Sequence, residues 1–333
     1  MTAFCTSPKF FLHQTGPHHP ERPDRLRAIF AAVRDAGMID SPNPLPDDDV
    51  HFGIFIPNAP KLLEIQPTEA SDQSLLAVHT QRHIDRVRMR CETGGVLDQG
   101  DTVVGRGSFK IALLAAGAGL RCVDAVLTGQ VRRAFACVRP PGHHAMTNQT
   151  MGFCLFANLA IAARYAQKQY GVQRIAIVDF DVHHGNGTQA IFEADPSVLF
   201  ISLHQDPREQ FPNTGYEWEI GTGAGRGYTL NVPLPGGAND AQILQAMRNK
   251  VLPKLEAFRP ELLMLSAGFD GHRDDPVGEF QMTEQGYYDL TLMLGQVADR
   301  FCGGRMVSML EGGYSLRALG RSVVKHLLAM SQE

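Results

Sequence analysis

The chain of 333 residues has no closely spaced cysteine pair, no long apolar run and almost no excess of either charge. Its six cysteines are scattered without a C-x-x-C motif, which argues against a disulfide framework and against a thiolate zinc cage. The longest apolar run, residues 111–120, is too short to span a bilayer. With 31 Lys and Arg against 35 Asp and Glu, the formal charge of −4 provides no basic field for nucleic acid. We therefore predict a soluble protein that binds neither nucleic acid nor a membrane.

An export signal is also missing, because the N-terminal segment MTAFCTSPKF has no charged part followed by an apolar part. We expect a reducing, cytoplasmic location, which agrees with the scattered cysteines. What the chain does have is paired histidine: six of its thirteen histidines form three adjacent pairs. These paired histidines are candidates for a polar functional site.

Short apolar runs alternate with longer amphipathic stretches, a pattern that predicts a parallel sheet with helices on both faces. The predicted strands are residues 75–78, 134–138, 174–180, 198–203, 228–232, 261–266 and 305–309. The predicted helices are residues 22–35, 109–127, 155–169, 240–258, 283–301 and 316–330. The best linker candidate, the Pro/Asp-rich segment 41–49, leaves too little sequence before it for a domain. We predict one α/β domain over residues 1–333.

Polar segments follow five of the predicted strands. They are residues 139–151, 179–187, 202–215, 267–276 and 310–314. Ligands of open α/β sheets bind just outside the carboxyl ends of the strands. The five segments are therefore expected to converge on one site.

The segment RIAIVDFDVHHGNG places Asp179, Asp181 and His183 at alternating positions where an apolar strand ends. Alternate residues of an extended chain share a face, so two carboxylates and an imidazole point the same way. Burying such groups costs free energy unless a cation or hydrogen bonds compensate, so a bound metal is the favoured interpretation. The alternative is that the three residues lie in a solvated loop after the strand. Histidine with aspartate, and no cysteine nearby, is typical of a catalytic site for zinc or a similar divalent ion.

A catalytic zinc needs a third protein ligand. Asp270, at the end of another apolar strand in SAGFD, is the candidate. Asp274 and Asp275 lie farther along the same loop and are predicted to be solvated or to cap a helix.

Two further histidine pairs and one tyrosine are candidate functional groups. His143 and His144 follow the rigid turn RPPG and could stand beside a metal-bound water, one as general base and then acid. The pair His18–His19 is predicted in a surface loop or at a substrate rim. Tyr314 follows two glycines in LEGGYS, where its phenol could polarise a carbonyl, although such a segment is also typical of a plain turn.

Together these motifs resemble the zinc-dependent histone deacetylase superfamily, in particular its class II and bacterial deacetylase-like amidohydrolase branch. The resemblance runs from HPERPDRL at His19 through RPPGHHA, GFCLFAN, DFDVHHGNGTQ, FPNTG and SAGFD to LEGGYS. It implies a single-domain, three-layer arginase-like α/β fold with a mostly parallel central sheet flanked by helices. It implies these catalytic and zinc-binding residues: Asp181, His183 and Asp270 as zinc ligands, His143 and His144 as a dyad with Asp179 behind one of them, and Tyr314 as the carbonyl-polarising residue.

The resemblance also implies a channel for an acyl-lysine side chain and structural potassium ions. The channel residues would be Phe153 and Phe211 as walls, Gly152 as floor, Asp101 as a rim carboxylate and Arg25 near an internal acetate-release cavity. One potassium site would use Asp179, Asp181, His183, Ser202 and Leu203, and a second would use Phe192, Asp195, Val198 and Tyr228. Three positions depart from relatives: Ala157 replaces a common asparagine, Asn186 replaces the aspartate of class I members, and Val277 replaces the acidic gatekeeper of polyamine-specific members.

The predicted activity is hydrolysis of the N-ε-acyl-lysine amides of proteins or peptides by a zinc-activated water. His144 would take the proton of the water and later protonate the leaving amine, while His143 and Asp179 give electrostatic support. Three alternatives stay open: an acetylpolyamine deacetylase, a binuclear manganese ureohydrolase and a non-catalytic acyl-lysine binder. The acyl-chain preference and the oligomeric state are left open.

Overall fold

A parallel sheet forms the centre of the computed structural model, which describes residues 1–40, 52–98 and 100–332. The strands are β1 (Thr2–Cys5), β2 (Leu63–Ile65), β3 (Gly95–Val96), β4 (Val103–Val104), β5 (Arg133–Ala136), β6 (Ile175–Asp179), β7 (Val198–Gln205), β8 (Thr229–Leu234), β9 (Leu262–Ala267) and β10 (Met306–Leu310). Among the described residues, eight of them form one sheet in the order β2-β1-β5-β10-β9-β6-β7-β8. Every neighbouring pair in it is parallel, whereas β3 and β4 pair antiparallel beside it.

The helices pack in two groups around this sheet. They are α1 (Asp24–Asp35), α2 (Asp72–Leu75), α3 (Gln81–Thr93), α4 (Ser108–Leu127), α5 (Asn158–Tyr170), α6 (Asn186–Phe192), α7 (Asp240–Ala246), α8 (Leu252–Phe258), α9 (Glu284–Phe301) and α10 (Leu316–Met330). Helix α10 packs against both α1 and α9, and α4 packs against α5. The predicted α/β fold with a mostly parallel, helix-flanked sheet is confirmed.

Burial explains why these segments form these elements. Every residue of β6 and of β9 is buried, as expected for inner strands of a parallel sheet covered on both faces. In α1, the buried residues Leu26, Ile29, Phe30 and Val33 follow the i, i+3, i+4, i+7 spacing of one helix face.

Two predicted elements differ from the structure. The strand predicted at 75–78 is wrong, because its first residue, Leu75, is the last residue of helix α2. The Ser71 hydroxyl accepts the Ser74 N–H and so caps the start of this helix. The helix predicted at 240–258 is interrupted by a π turn, Met247–Val251, just before Pro253 in the first turn of α8. Besides α2, six elements have no counterpart among the predictions: β1, β2, β3, β4, α3 and α6. The linker candidate 41–49 lies outside the described residues.

The order of the strands positions the polar segments. The five strands that precede those segments are adjacent in the sheet, in the order β5-β10-β9-β6-β7. Because all five are parallel, their carboxyl ends lie along one edge and the loops that follow them meet there. Within the described ranges, no helix has the length and apolar character needed to cross a membrane.

Candidate active site

Three buried side chains meet at the carboxyl ends of β6 and β9: Asp181, His183 and Asp270. One ligand atom from each lies within 4.8 Å of the others. His183 Nδ1 is 2.9 Å from Asp181 Oδ1 and 3.3 Å from Asp270 Oδ2. Among the described residues, Asp270 Oδ2 has no hydrogen-bond partner, although it is buried. Two buried carboxylates that face one imidazole nitrogen need a cation, so this donor set fits a divalent metal.

Backbone donors fix both carboxylates of this group. The Gly312 N–H donates to Asp181 Oδ2 at 2.8 Å, and the Val182 N–H donates to Asp270 Oδ1 at 2.9 Å. The loop after β10 therefore closes over the carboxylates that β6 and β9 supply. Each of these hydrogen bonds favours the ionised carboxylate, the form that a metal ligand requires. Burial and the neighbouring Asp181 nevertheless raise the pKa of Asp270, and a bound cation would oppose this effect.

The histidines His143 and His144 lie beside the metal-binding group, with ring centroids 3.9 Å apart. His143 Nδ1 is 3.0 Å from Asp179 Oδ2, and His144 Nδ1 is 2.7 Å from Asn186 Oδ1. Burial alone would lower the pKa of His143, but the carboxylates of Asp179 and Asp181 outweigh burial and raise it to about 10. Burial and the neighbouring His143 hold the pKa of His144 well below its usual value. The dyad thus consists of one charged and one neutral imidazole.

Changing Asn186 to aspartate tests the role of His144. The new carboxylate would face His144 Nδ1, favour the imidazolium and raise the pKa of His144. A general base must be unprotonated, so the acidic limb of the pH profile of kcat/KM is expected to move to higher pH in Asn186→Asp. The exposed Asn249→Asp serves as a control and should leave the profile unchanged. An acidic limb that does not move in Asn186→Asp would exclude His144 as the base.

Tyr314 lies on the loop after β10, next to the Phe153 ring and the Arg25 guanidinium. Its ring is edge-on to Phe153 at 6.0 Å between centroids, and the Arg25 guanidinium carbon lies 5.0 Å from its centroid. Burial raises the pKa of the Tyr314 phenol well above its usual value, so the hydroxyl is protonated and can donate. Arg25 is buried and donates to the Gly313 carbonyl at 2.6 Å, which ties helix α1 to this loop.

The predicted channel residues surround the site. Phe211 lies edge-on to both His144 and His183, at 5.1 and 6.2 Å between ring centroids. Gly152 has a positive φ of 53°, and a Cβ there would collide with the His144 ring, so a side chain is excluded at this floor position.

Asp101 and His19 lie together at the rim. His19 Nε2 donates to the Asp101 carbonyl at 2.9 Å, and the His19 ring is 4.7 Å from that of Phe153. Phe153 itself has a φ of 69° in the left-handed region, which is rare outside glycine. The predicted channel residues are thus brought to one place.

Residues 19–330 match the histone deacetylase domain family. The chain belongs to the histone deacetylase family. It is 46% identical over 247 residues to a histone deacetylase-like amidohydrolase of Pseudomonas aeruginosa, covering 74% of this chain and 64% of that protein. It is 39% identical over 313 residues to a polyamine deacetylase of Homo sapiens, covering 91% of this chain and 43% of that protein. The crystal structure of the HDA15 HD domain matches with a TM-score of 0.88 at 39% identity, covering 100% of this chain and 90% of that one.

These similarities confirm the predicted family, and they support a hydrolase that acts on amides. The chain spans less than two thirds of the length of either relative.

Two buried carboxylates anchor loops of the candidate site, and neither was predicted from the sequence to have this role. Glu311 Oε2 accepts the N–H groups of Gly142 and His143 at 2.7 and 3.1 Å, so it fixes the loop that carries the dyad. Asp275 Oδ2 accepts the N–H groups of Tyr314 and Ser315 at 2.6 and 2.9 Å. Glu311 was part of the motif LEGGYS, but nothing in that motif shows what its carboxylate binds.

The structure separates the two predictions made for Asp274 and Asp275. Asp274 is solvated, with a side chain 67% exposed. Asp275 fits neither alternative: it is buried, and its carboxylate accepts the N–H groups of Tyr314 and Ser315, which precede the first turn of α10. Asp275 therefore anchors the loop that carries Tyr314.

The predicted potassium ligands lie in two places. In the first set, Asp179 at the end of β6 pairs in register with Ser202 in β7, which brings together Asp179, Asp181, His183, Ser202 and Leu203. In the second set, the Phe192 and Asp195 carbonyls accept the backbone N–H groups of Asp195 and Val198, and Tyr228 accepts from Phe200. The Asp195 carboxylate also forms a 2.5 Å ion pair with Arg164. Potassium binding at both sets stays a prediction.

Proposed function

We propose that the protein is a zinc-dependent hydrolase of N-ε-acyl-lysine amides in proteins or peptides. The observation that carries the proposal is the enclosed group of Asp181, His183 and Asp270 next to one charged and one neutral histidine. When bound to this group, Zn²⁺ would supply a Lewis acid for the scissile carbonyl and lower the pKa of the attacking water.

The two histidines of the dyad have different roles in the reaction. Because His144 Nδ1 donates to Asn186, its Nε2 carries a lone pair and takes the proton of the attacking water. The same nitrogen then returns the proton to the leaving amine of lysine. His143, held charged by Asp179, places a positive charge beside the developing negative charge.

Tyr314 and the aromatic walls act on the substrate itself. The Tyr314 hydroxyl donates to the carbonyl oxygen as negative charge develops there. Phe153 and Phe211 offer apolar faces to the methylene chain of lysine, and the carboxylate of Asp101 at the rim can accept backbone N–H groups of a peptide.

Acetylpolyamine hydrolysis is the second candidate function, because the chain is 39% identical to a polyamine deacetylase. That substrate carries several amines, which an acidic residue at the channel mouth would favour. The position that resemblance assigns to such a residue is Val277, an apolar side chain. Acyl-lysine is therefore the substrate that the residues of this chain favour.

A metal count and a substrate panel test the proposal together. Elemental analysis of the purified protein should find one zinc per chain, whereas two manganese ions would support a ureohydrolase. The panel contains lysine peptides with acyl groups of increasing length and acetylated polyamines, compared by kcat/KM. Acyl-lysine peptides should be the better substrates. A preference for acetylpolyamines would support the second candidate, and no turnover of any amide would leave a non-catalytic binder.

A further inference from the structure

A groove of about 1000 Å³ opens beside the rim of the site and runs along the start of α3. Asp101 and Phe211 line its inner end, and Arg82, Arg86, Asp98 and Met151 line the rest. The Phe211 ring also faces His144 and His183. A peptide that inserts a lysine side chain past Phe211 must therefore lay its flanking residues on or near this groove.

Two arginines give one wall of the groove its charge. Arg82 and Arg86 are four residues apart on α3, so they lie on the same face of the helix, and both are exposed. Arg86 Nη2 donates to the Asn148 carbonyl at 3.2 Å and to His83 Nδ1 at 3.3 Å. Burial and Arg86 keep the pKa of His83 low, so this partner is neutral. Arg86 is thus held in place without being neutralised.

The carboxylates nearby are already engaged. On the same helix, Arg88 pairs with Asp72 at 2.8 Å and with Asp85 at 3.3 Å. Within residues 1–40, 52–98 and 100–332, no carboxylate forms an ion pair with Arg82 or Arg86. Two guanidinium groups in one groove are therefore left without an anion.

Two acidic residues, Asp98 and Asp101, also line the groove. Asp98 accepts the backbone N–H groups of Gly100, Asp101 and Thr102, as well as the Thr102 hydroxyl. Asp101 is at the rim, where its carbonyl binds His19. An anion entering the groove would be attracted by Arg82 and Arg86 and repelled by Asp98 and Asp101, so it is expected to bind at the arginines.

We propose that this groove binds an acidic side chain of the substrate close to the acyl-lysine. The inference rests on the proposed function and narrows it to acyl-lysines with a neighbouring Asp or Glu. Guanidinium groups match the geometry of a carboxylate, and a side chain that is already ordered, such as Arg86, loses less entropy on binding.

The test is a set of short acyl-lysine peptides in which Glu or Gln is placed at each flanking position in turn. For the wild-type protein, Glu at one or more positions should raise kcat/KM about twofold to fivefold over Gln at low ionic strength, the range of exposed ion pairs. High salt should reduce this ratio. The ratio should fall to about one in the double variant Arg82→Gln/Arg86→Gln and persist in part in Arg82→Lys/Arg86→Lys.

The matched control is Arg248→Gln, an exposed arginine that does not line the groove, and it should keep the wild-type ratio. Turnover of every peptide with a ratio of one at all positions would overturn the inference and leave the proposed function standing. A ratio that survives in the double Gln variant would also overturn it, because the selective charge would lie elsewhere. If the wild-type protein turns over neither Gln nor Glu peptides, the proposed function fails and the inference fails with it.

Discussion

Replacing Tyr314 by phenylalanine is expected to lower kcat about 10²–10³-fold, the usual cost of losing one donor to a developing oxyanion. Folding and metal content should stay as in the wild-type protein. The contacts that hold the ring, its edge to Phe153 and its face to the Arg25 guanidinium, do not involve the hydroxyl. The variant therefore removes a proton donor and little else.

Steady-state kinetics with an acyl-lysine peptide, together with zinc content and the thermal unfolding midpoint, measure this effect. Tyr288→Phe is a suitable control, because Tyr288 lies on α9, where its ring contacts Lys325. It should retain full activity. A fall in kcat without a matching fall in KM is the expected pattern for an interaction made only in the transition state. Undiminished kcat in Tyr314→Phe would refute the role given to this residue.

Much of the site could be predicted because its ligands occupy strand ends. Alternation predicted a shared face for Asp179, Asp181 and His183, and parallel topology brought Asp270 near. In the structure β6 ends at Asp179, and Asp181 and His183, just beyond it, join Asp270. Both inferences use short stretches of sequence and a rule about sheets. The structure brings together the three side chains that were predicted as metal ligands.

The supporting carboxylates could not be predicted in the same way. Glu311 binds a backbone N–H group 169 residues away, at Gly142, and Asp275 binds one 39 residues away, at Tyr314. No local pattern marks a side chain that will accept backbone hydrogen bonds from another loop. From sequence alone, an acidic residue in a loop is predicted to be solvated, and only the structure shows which other loop packs against it.

The prediction of the fold from sequence was limited in a similar way. Long amphipathic helices such as α4 and α9, and the buried inner strands, are recognisable from periodicity and composition. The helix α3 was missed because its sequence, QRHIDRVRMRCET, is dominated by polar residues, with few buried side chains. That omission mattered, since α3 carries the two arginines of the groove.

Replacing Gly312 by alanine is expected to weaken metal binding by at least about 100-fold and to lower activity with it. A Cβ at Gly312 would overlap Asp270 Oδ2 and lie 2.6 Å from Asp181 Oδ2. Both carboxylates are fully buried and anchored by backbone N–H groups, so neither can turn away without leaving a charge unpaired. Changes around a metal site that leave its ligands in place typically cost about 10–100-fold in affinity. Displacing two ligands at once should cost at least that much.

Zinc titration of the metal-depleted protein measures the affinity directly, and circular dichroism shows whether Gly312→Ala is folded. Gly271→Ala is the matched control, because it follows Asp270 directly, yet its new Cβ would meet its nearest neighbour, the Tyr287 hydroxyl, at 3.2 Å. That variant should bind zinc nearly as well as the wild-type protein. Because the Gly312 N–H remains in the alanine variant, lost affinity in a folded protein would come from the added methyl group alone. Unchanged zinc affinity in Gly312→Ala would mean that Asp181 and Asp270 do not both hold the metal.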